Sequence, residues 1–184
     1  AKAPAKAKAK STAPSVRLLT IVRHAKSTWD PEVPDHDRPL DAGGKKSAPK
    51  VGAALAKDKK FKPDLILSST ANRALTTAEA IAKKIKHDPE NIVQVKDLYL
   101  ASADKLINTI RTRIPNDVEH VVIVGHNPGI EMLAHALLKP RKGSIDRMPT
   151  CSVARFELSV SKWGDVGDNS ATLLGFLYPG MLGV

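Results

Sequence analysis

The sequence predicts an α/β protein, a three-layer α/β/α sandwich with a mainly parallel central sheet. Two observations predict it. Short apolar runs rich in β-branched residues alternate with longer segments whose apolar residues recur at helical spacing, the pattern of βαβ units with helices on both faces of a sheet. The polar residues with the most chemistry also sit just after three of those runs, where ligands gather in open parallel sheets.

Each element has its own signal. Arg17 to Val22 reads as a buried strand, and Arg23 to Asp41, with Pro31, Pro34 and Pro39, as a long loop. Gly43 to Lys57 carries Val51, Ala54 and Leu55 at helical spacing; Pro49 is expected in its first turns or as a break. Asp64 to Leu67 is a second strand. Thr70 to Ile85 follows as a helix with Leu75, Ala78, Ile81, Ala82 and Ile85 on one face. Ile92 to Val95 is a third strand, and Ala103 to Ile114 a helix that turns Leu106, Ile107 and Ile110 inward. Val121 to Val124 is by pattern the most buried strand, followed by a helix over Asn127 to Leu138. Val153 to Leu158 and Thr172 to Leu177 close the chain as strands, with an antiparallel edge expected among them.

The 184 residues suit one domain over 16–184, preceded by an Ala/Lys/Pro-rich tail, 1–15, that is too poor in apolar residues to order itself. The formal charge is +10, but the tail's four lysines leave +6 for the rest, spread among acids without interleaved aromatics. That argues against nucleic acid as a specific partner. No apolar run is long enough for a membrane span. The single cysteine, Cys151, excludes an intrachain disulfide framework or a multi-cysteine zinc site. A cytoplasmic location is expected. An organelle is the alternative if the tail is the remnant of a targeting leader; an apolar secretory core is missing.

The three strand ends carry Arg23-His24-Ala25-Lys26-Ser27, then Ser68-Ser69-Thr70-Ala71-Asn72-Arg73, then Gly125-His126-Asn127-Pro128-Gly129. A parallel sheet brings them into one crevice. Arginine holds phosphate oxygens through a planar fork of donors, and a neutral imidazole can attack phosphorus to form a covalent intermediate. The set therefore predicts His24 as nucleophile, with Arg23, Arg73 and a protonated His126 around a transferring phosphoryl group. Ser69, Asn127 and two helix N-termini would add contacts. His87, His120 and His135 read as structural, and histidines and acids at metal-ligand spacing are missing, so no metal and no cofactor is expected.

These segments resemble the histidine phosphatase, or phosphoglycerate mutase-like, superfamily. Val22-Arg23-His24-Ala25 is similar to its Arg-His-Gly signature with alanine for glycine. Ser68-Ser69 to Arg73-Ala74, with Thr76-Thr77-Ala78, resembles the second signature, and Gly125-His126-Asn127-Pro128 the third. Arg23-His24-Ala25-Lys26-Ser27, Asp35-His36-Asp37-Arg38-Pro39-Leu40 with Gly44, and Leu98-Tyr99 with Ala101 are closest to the small SixA-type phosphohistidine phosphatases. The resemblance implies His24 as nucleophile, Arg23, Arg73 and His126 as the phosphate pocket, and Arg38 as a further contact. The leaving-group acid of larger members has only Asp97 in its place, and Asp30 stands where mutases carry asparagine. Because phosphohistidine leaves as an imidazole that can already carry a proton, the resemblance implies a phosphorylated protein as partner. A small phosphoester, or phosphate binding without turnover, are the alternatives.

Overall fold

The computed structural model describes residues 16–184; the basic tail lies outside them. Strands β1 (Arg17–Arg23), β2 (Leu65–Ser69), β3 (Val93–Val95), β4 (His120–Gly125), β5 (Val153–Leu158) and β6 (Ala171–Leu177) form one sheet in the order β3-β2-β4-β1-β5-β6. Helices α1 (Ala42–Ala56), α2 (Asn72–Ile85), α3 (Ala103–Arg113) and α4 (Gly129–Leu137) connect them. The architecture is the expected α/β/α sandwich with a mainly parallel central sheet.

Strand geometry sorts the core. Successive side chains of a strand point to opposite faces, so β4, buried along its whole length, feeds two cores. Val121 and Ile123 pack with Leu106 and Ile110 of α3 and Ile130 and Leu133 of α4. Val122 and Val124 pack with Val51 and Leu55 of α1 and Ala74, Ala78 and Ile81 of α2. A strand buried on both faces reads as a continuous apolar run, which is why the pattern was legible in this segment.

The expected antiparallel edge is present: β5 runs antiparallel to β1 inside the sheet, and β6 pairs antiparallel with β5 as the edge strand. One expectation changes. Pro49 neither opens nor breaks α1; it sits well inside it. The helix starts instead at Asp41, whose side chain accepts from the Gly44 amide at 2.8 Å. The carbonyl that Pro49 leaves unpaired belongs to Lys45, an exposed residue, so water can satisfy it.

Register then fixes the place of chemistry. β1 and β4 run parallel with Arg23 beside Gly125, and β2 and β4 with Ser68 beside Val124. The three strands end at one level, and His24, Ser69 and His126 emerge side by side. Two glycines let the surrounding loops close in. A Cβ on Gly44 would collide with the Lys26 carbonyl, and one on Gly129 with the Ala101 carbonyl. Those positions seat the N-terminal turns of α1 and α4 directly against the loops that frame the crevice.

Candidate active site

The backbone of His24 is held from two sides. Its amide donates to the Gly125 carbonyl, and its carbonyl accepts from the Cys151 amide, each at 3.0 Å. The imidazole Nδ1 lies 2.8 Å from the Ala25 carbonyl. A carbonyl only accepts, so Nδ1 carries the hydrogen and Nε2 is left as a lone pair. Arg73 Nε–H points at that lone pair from 3.4 Å. Thr77, one turn along α2, ties the two segments together: its hydroxyl accepts from the Ala25 amide at 2.9 Å and donates to the Arg73 carbonyl at 2.6 Å. Its spacing of four from Arg73, on the same helix face, was the readable signal for it.

His126 stands 5.1 Å from His24, ring centre to ring centre. Its Nε2 is 2.8 Å from Ser69 Oγ. That oxygen also accepts from the Ala71 amide; when it gives its hydrogen to Nε2, His126 Nδ1 bears the N–H. Among the described residues the buried Nδ1 has no partner, nor has Nε of Arg23, whose Nη1 donates to the Met148 carbonyl at 2.8 Å. Buried donors left over beside a nucleophile suit an anion with several acceptor oxygens.

Burial pushes His24 down to about 4; the Ala25 hydrogen bond opposes this, and the charges of Arg73, Arg23 and Arg38 add to it. Burial likewise pushes His126 down to about 3, with His24 and Arg73 contributing. The second histidine, expected protonated, is therefore neutral here. It can still donate, through the single Nδ1–H that Ser69 sets. His120, outside the cluster against Phe61, is pushed to about 4 by burial and then Arg155.

These three lowered groups make a stability prediction. Each binds its proton more weakly in the folded chain than at its ordinary 6.5, so below that pH the unfolded chain takes up more protons. Stability is complete above pH 6.5 and falls as pH drops toward 4, with a slope of about 1.4 kcal/mol per pH unit for each group. Urea unfolding at stepped pH measures the slope. His120→Gln should make it shallower, and an unchanged slope in that variant would show that acid sensitivity arises elsewhere.

Asp35, from the loop before α1, enters the cluster. Arg73 Nη2 meets its Oδ2 at 2.9 Å, and Arg73 Nη1 donates to its backbone carbonyl. Arg38 Nη1 meets Oδ1 at 2.8 Å, and the Tyr99 hydroxyl donates to Oδ2 at 2.6 Å. The Tyr99 bond first, and the two guanidinium groups with it, hold Asp35 down to about 2. Tyr99 itself stands edge-on to His126 at 5.5 Å and to His36 at 5.0 Å.

Arg23, His24, Arg73 and His126 are brought together. Four other expected site residues take different parts. Arg38 donates from Nε to the Thr28 carbonyl, from Nη1 to Asp35 and from Nη2 to Ser27 Oγ, so it braces the loop and Asp35. Ser69 gives its hydroxyl to His126. Asn127 Nδ2 donates to the Met148 carbonyl and Glu131, and Glu131 also accepts from the Met148 amide at 2.6 Å. That network, with no signal in the sequence, fixes the carbonyl that holds Arg23. Asp97 does not reach the cluster: its carboxylate pairs with Arg113 at 3.0 Å and Lys105 at 3.3 Å on α3. Those two hydrogen bonds lower its pKa, which makes it a poor proton donor as well as a distant one.

The family model described as the histidine phosphatase superfamily, branch 1, matches residues 19–115, a span that holds Arg23, His24 and Arg73 and stops before His126. An uncharacterized chloroplastic protein of Arabidopsis thaliana is 32% identical over 80% of this chain and 69% of its own. An uncharacterized Mycobacterium tuberculosis protein is 30% identical over 86% and 99%. Among solved structures, a protein assigned as phosphohistidine phosphatase SixA from Agrobacterium tumefaciens is 30% identical at a TM-score of 0.72, covering 89% of this chain and 99% of that one. One so assigned from Nakamurella multipartitia is 25% identical at 0.77, covering 89% and 96%. Among the described residues no helix is long and apolar enough to cross a membrane.

Proposed function

This chain belongs to the histidine phosphatase superfamily, with a SixA-like architecture and phosphatase activity, and from that premise we propose that it is a metal-independent enzyme acting on phosphohistidine in proteins. His24 Nε2 attacks phosphorus, the bond to the leaving group breaks, and water then hydrolyses the phosphohistidine intermediate to release phosphate. Arg23, Arg73 and the Nδ1–H of His126 neutralise the phosphoryl oxygens, in a reaction that rests on positioning and charge stabilisation. The observation that carries this reading is the state of His24: neutral, its tautomer set by the Ala25 carbonyl, its Nε2 lone pair facing the Arg73 guanidinium.

The acids speak to the leaving group. A sugar alkoxide leaves slowly without a proton donor, and a general acid contributes ~10²-fold or more. Asp97 is turned away, and Asp35 is an ionised carboxylate between two arginines. A phosphoramidate, whose leaving nitrogen belongs to a ring that can already be protonated, suits such a site better than an alkyl ester. Asp97→Asn is accordingly expected to leave kcat/KM unchanged on phosphohistidine peptides and alkyl phosphates alike. A loss confined to alkyl phosphates would reinstate Asp97 as the acid.

Phosphate release from phosphohistidine, phosphoserine and phosphotyrosine peptides and from 3-phosphoglycerate tests the substrate class. Phosphohistidine should have the highest kcat/KM; a preference for 3-phosphoglycerate would replace this reading by that of a small-molecule phosphatase. EDTA should leave all rates unchanged, because arginines neutralise the phosphoryl charge and no group of three or more His, Cys, Asp or Glu among the described residues could hold a metal ion. Loss in EDTA with recovery on added Mg²⁺ would overturn metal independence.

A further inference from the structure

One charged group remains whose position the phosphate pocket does not explain. The cluster gathers Arg23 and Arg73 for an anion, yet the Asp35 carboxylate stands against Arg73 with Arg38 bracing its other side. A lone carboxylate beside a phosphate site repels the substrate's phosphoryl group, so it needs a reason on the side away from the phosphorus. Asp35 lies one guanidinium away from the nucleophile: Arg73 touches His24 Nε2 through Nε and Asp35 through both Nη atoms. The Asp35 side chain is also 41% exposed, while His24 and Arg73 are buried. It therefore stands at the mouth of the site, where the substrate enters and the leaving group departs.

Its hydrogen bonds leave it an opening. Oδ2 accepts from Arg73 and Tyr99, and Oδ1 accepts from Arg38. A carboxylate has about four acceptor positions, so among the described residues one on Oδ1 is left open. Tyr99, His36 and Trp29 supply flat surfaces close by; Trp29 is exposed, its ring 5.1 Å from the Arg38 guanidinium.

We infer that Asp35 is a substrate-contacting specificity residue that accepts a hydrogen bond from the distal N–H of the departing imidazole ring. The inference rests on the phosphohistidine reading and gives that reading its selectivity. The chemistry balances without an enzyme acid. The substrate ring enters with phosphorus on one nitrogen and a proton on the other. As His24 Nε2 forms its bond to phosphorus, the substrate P–N bond breaks and its electron pair stays on the ring nitrogen. The ring departs as neutral imidazole, still carrying the distal proton. A carboxylate facing that N–H favours the protonated ring in the bound substrate and so makes it a better leaving group. For an anionic leaving group such as nitrophenolate, the same charge is unhelpful.

Asp35→Asn tests this, because asparagine keeps the shape and an acceptor oxygen but removes the charge. Arg73 keeps its bond to the backbone carbonyl of residue 35, which does not depend on the side chain. Expected is a loss of about 10- to 100-fold in kcat/KM on phosphohistidine peptides, the size of a charge-assisted hydrogen bond. On para-nitrophenyl phosphate, where only the looser hold on Arg73 counts, the loss should be about tenfold smaller than on phosphohistidine. A second readout separates this from a structural role. The wild-type advantage on phosphohistidine should shrink from pH 8 to pH 6, as lower pH protonates the substrate ring without help, while the ratio on para-nitrophenyl phosphate stays flat. Of the groups facing Asp35, Arg38 and Arg73 are guanidinium groups, which do not lose their proton in proteins, and burial with the Asp35 bond pushes the Tyr99 hydroxyl further up. His36 and Asp37 act alike on both substrates, so the para-nitrophenyl phosphate ratio reports what they contribute. Equal losses on both substrates, or no loss on phosphohistidine, would overturn the role of Asp35. A wild type that hydrolyses para-nitrophenyl phosphate and ignores phosphohistidine would sink the substrate reading instead, and this inference with it.

Discussion

His24→Ala is expected to lower kcat by at least ~10⁴-fold on every substrate, the scale seen when a nucleophile is removed from an enzyme that forms a covalent intermediate. His24 is the imidazole of the cluster whose Nε2 lone pair no hydroxyl takes, with Nδ1 held by the Ala25 carbonyl. His126, its neighbour, has its Nε2 bonded to Ser69 and presents an N–H, which can donate but cannot attack. Removing His24 leaves the phosphate donors in place, so the variant should bind phosphate or vanadate still and fail only in turnover. The fold should survive. The segment is held by backbone bonds to Gly125 and Cys151 and by Thr77 on the Ala25 amide, none of which uses the imidazole, and loss of a buried, neutral ring beside three guanidinium groups removes little favourable charge interaction. The direct check is rapid-quench trapping of acid-labile label. It should sit on His24 in the wild type and vanish in the variant with the melting temperature nearly unchanged; label on another residue would remove His24 from the role.

The parts of this picture that the sequence made legible are those set by short-range pattern. β4 could be read because a strand covered on both faces must be apolar throughout, and the convergence of Arg23, His24, Arg73 and His126 because parallel strands end at one level. The residues misread at the site depend on tertiary geometry. Asp97 and Tyr99 flank Leu98, which is fully buried, and a single 3₁₀ turn over Lys96–Leu98 decides which of the two faces the cluster. Nothing in residue type announces that the tyrosine turns in and the acid turns out to α3. The charge of His126 was equally illegible, because burial and neighbouring cations, not local sequence, set it. The resemblance implies Arg38, and its own chemistry Ser69, as phosphate ligands. Arg38 donates to Thr28, Asp35 and Ser27, and Ser69 meets His126, the last a contact across 57 residues of sequence. Asp35 stands in the sequence as the first residue of the Asp35-His36-Asp37-Arg38 segment of the resemblance, with no role attached; the role needed the arginines on either side of it.

Arg73 is the residue on which these pieces meet, and its replacement should have the second largest effect. Arg73→Ala is expected to lower kcat/KM by about 10³-fold or more, the scale of losing a phosphoryl-stabilising arginine. The more informative variant is Arg73→Lys, which keeps the charge. The arginine reaches three acceptors from a single planar group: Nε faces the His24 lone pair, Nη2 holds the Asp35 carboxylate and Nη1 its carbonyl. An ammonium is one point charge and cannot reproduce that fork. If charge alone carried the function, the lysine variant would keep most of the activity. If the fork does, it should lose about 10²-fold or more, chiefly in kcat, because the missing contacts are those that align nucleophile and phosphorus. Arg73 is buried and caps no helix; its carbonyl bond to Thr77 belongs to the backbone and survives substitution. A stability loss in the ordinary range of about 0.5–3 kcal/mol is therefore expected, and kinetics can be measured on folded protein. Steady-state kinetics of both variants with para-nitrophenyl phosphate, paired with vanadate affinity, decide the matter. A lysine variant within threefold of wild type in kcat would show that Arg73 acts as a bare charge, and the alignment argued from its three contacts would be wrong.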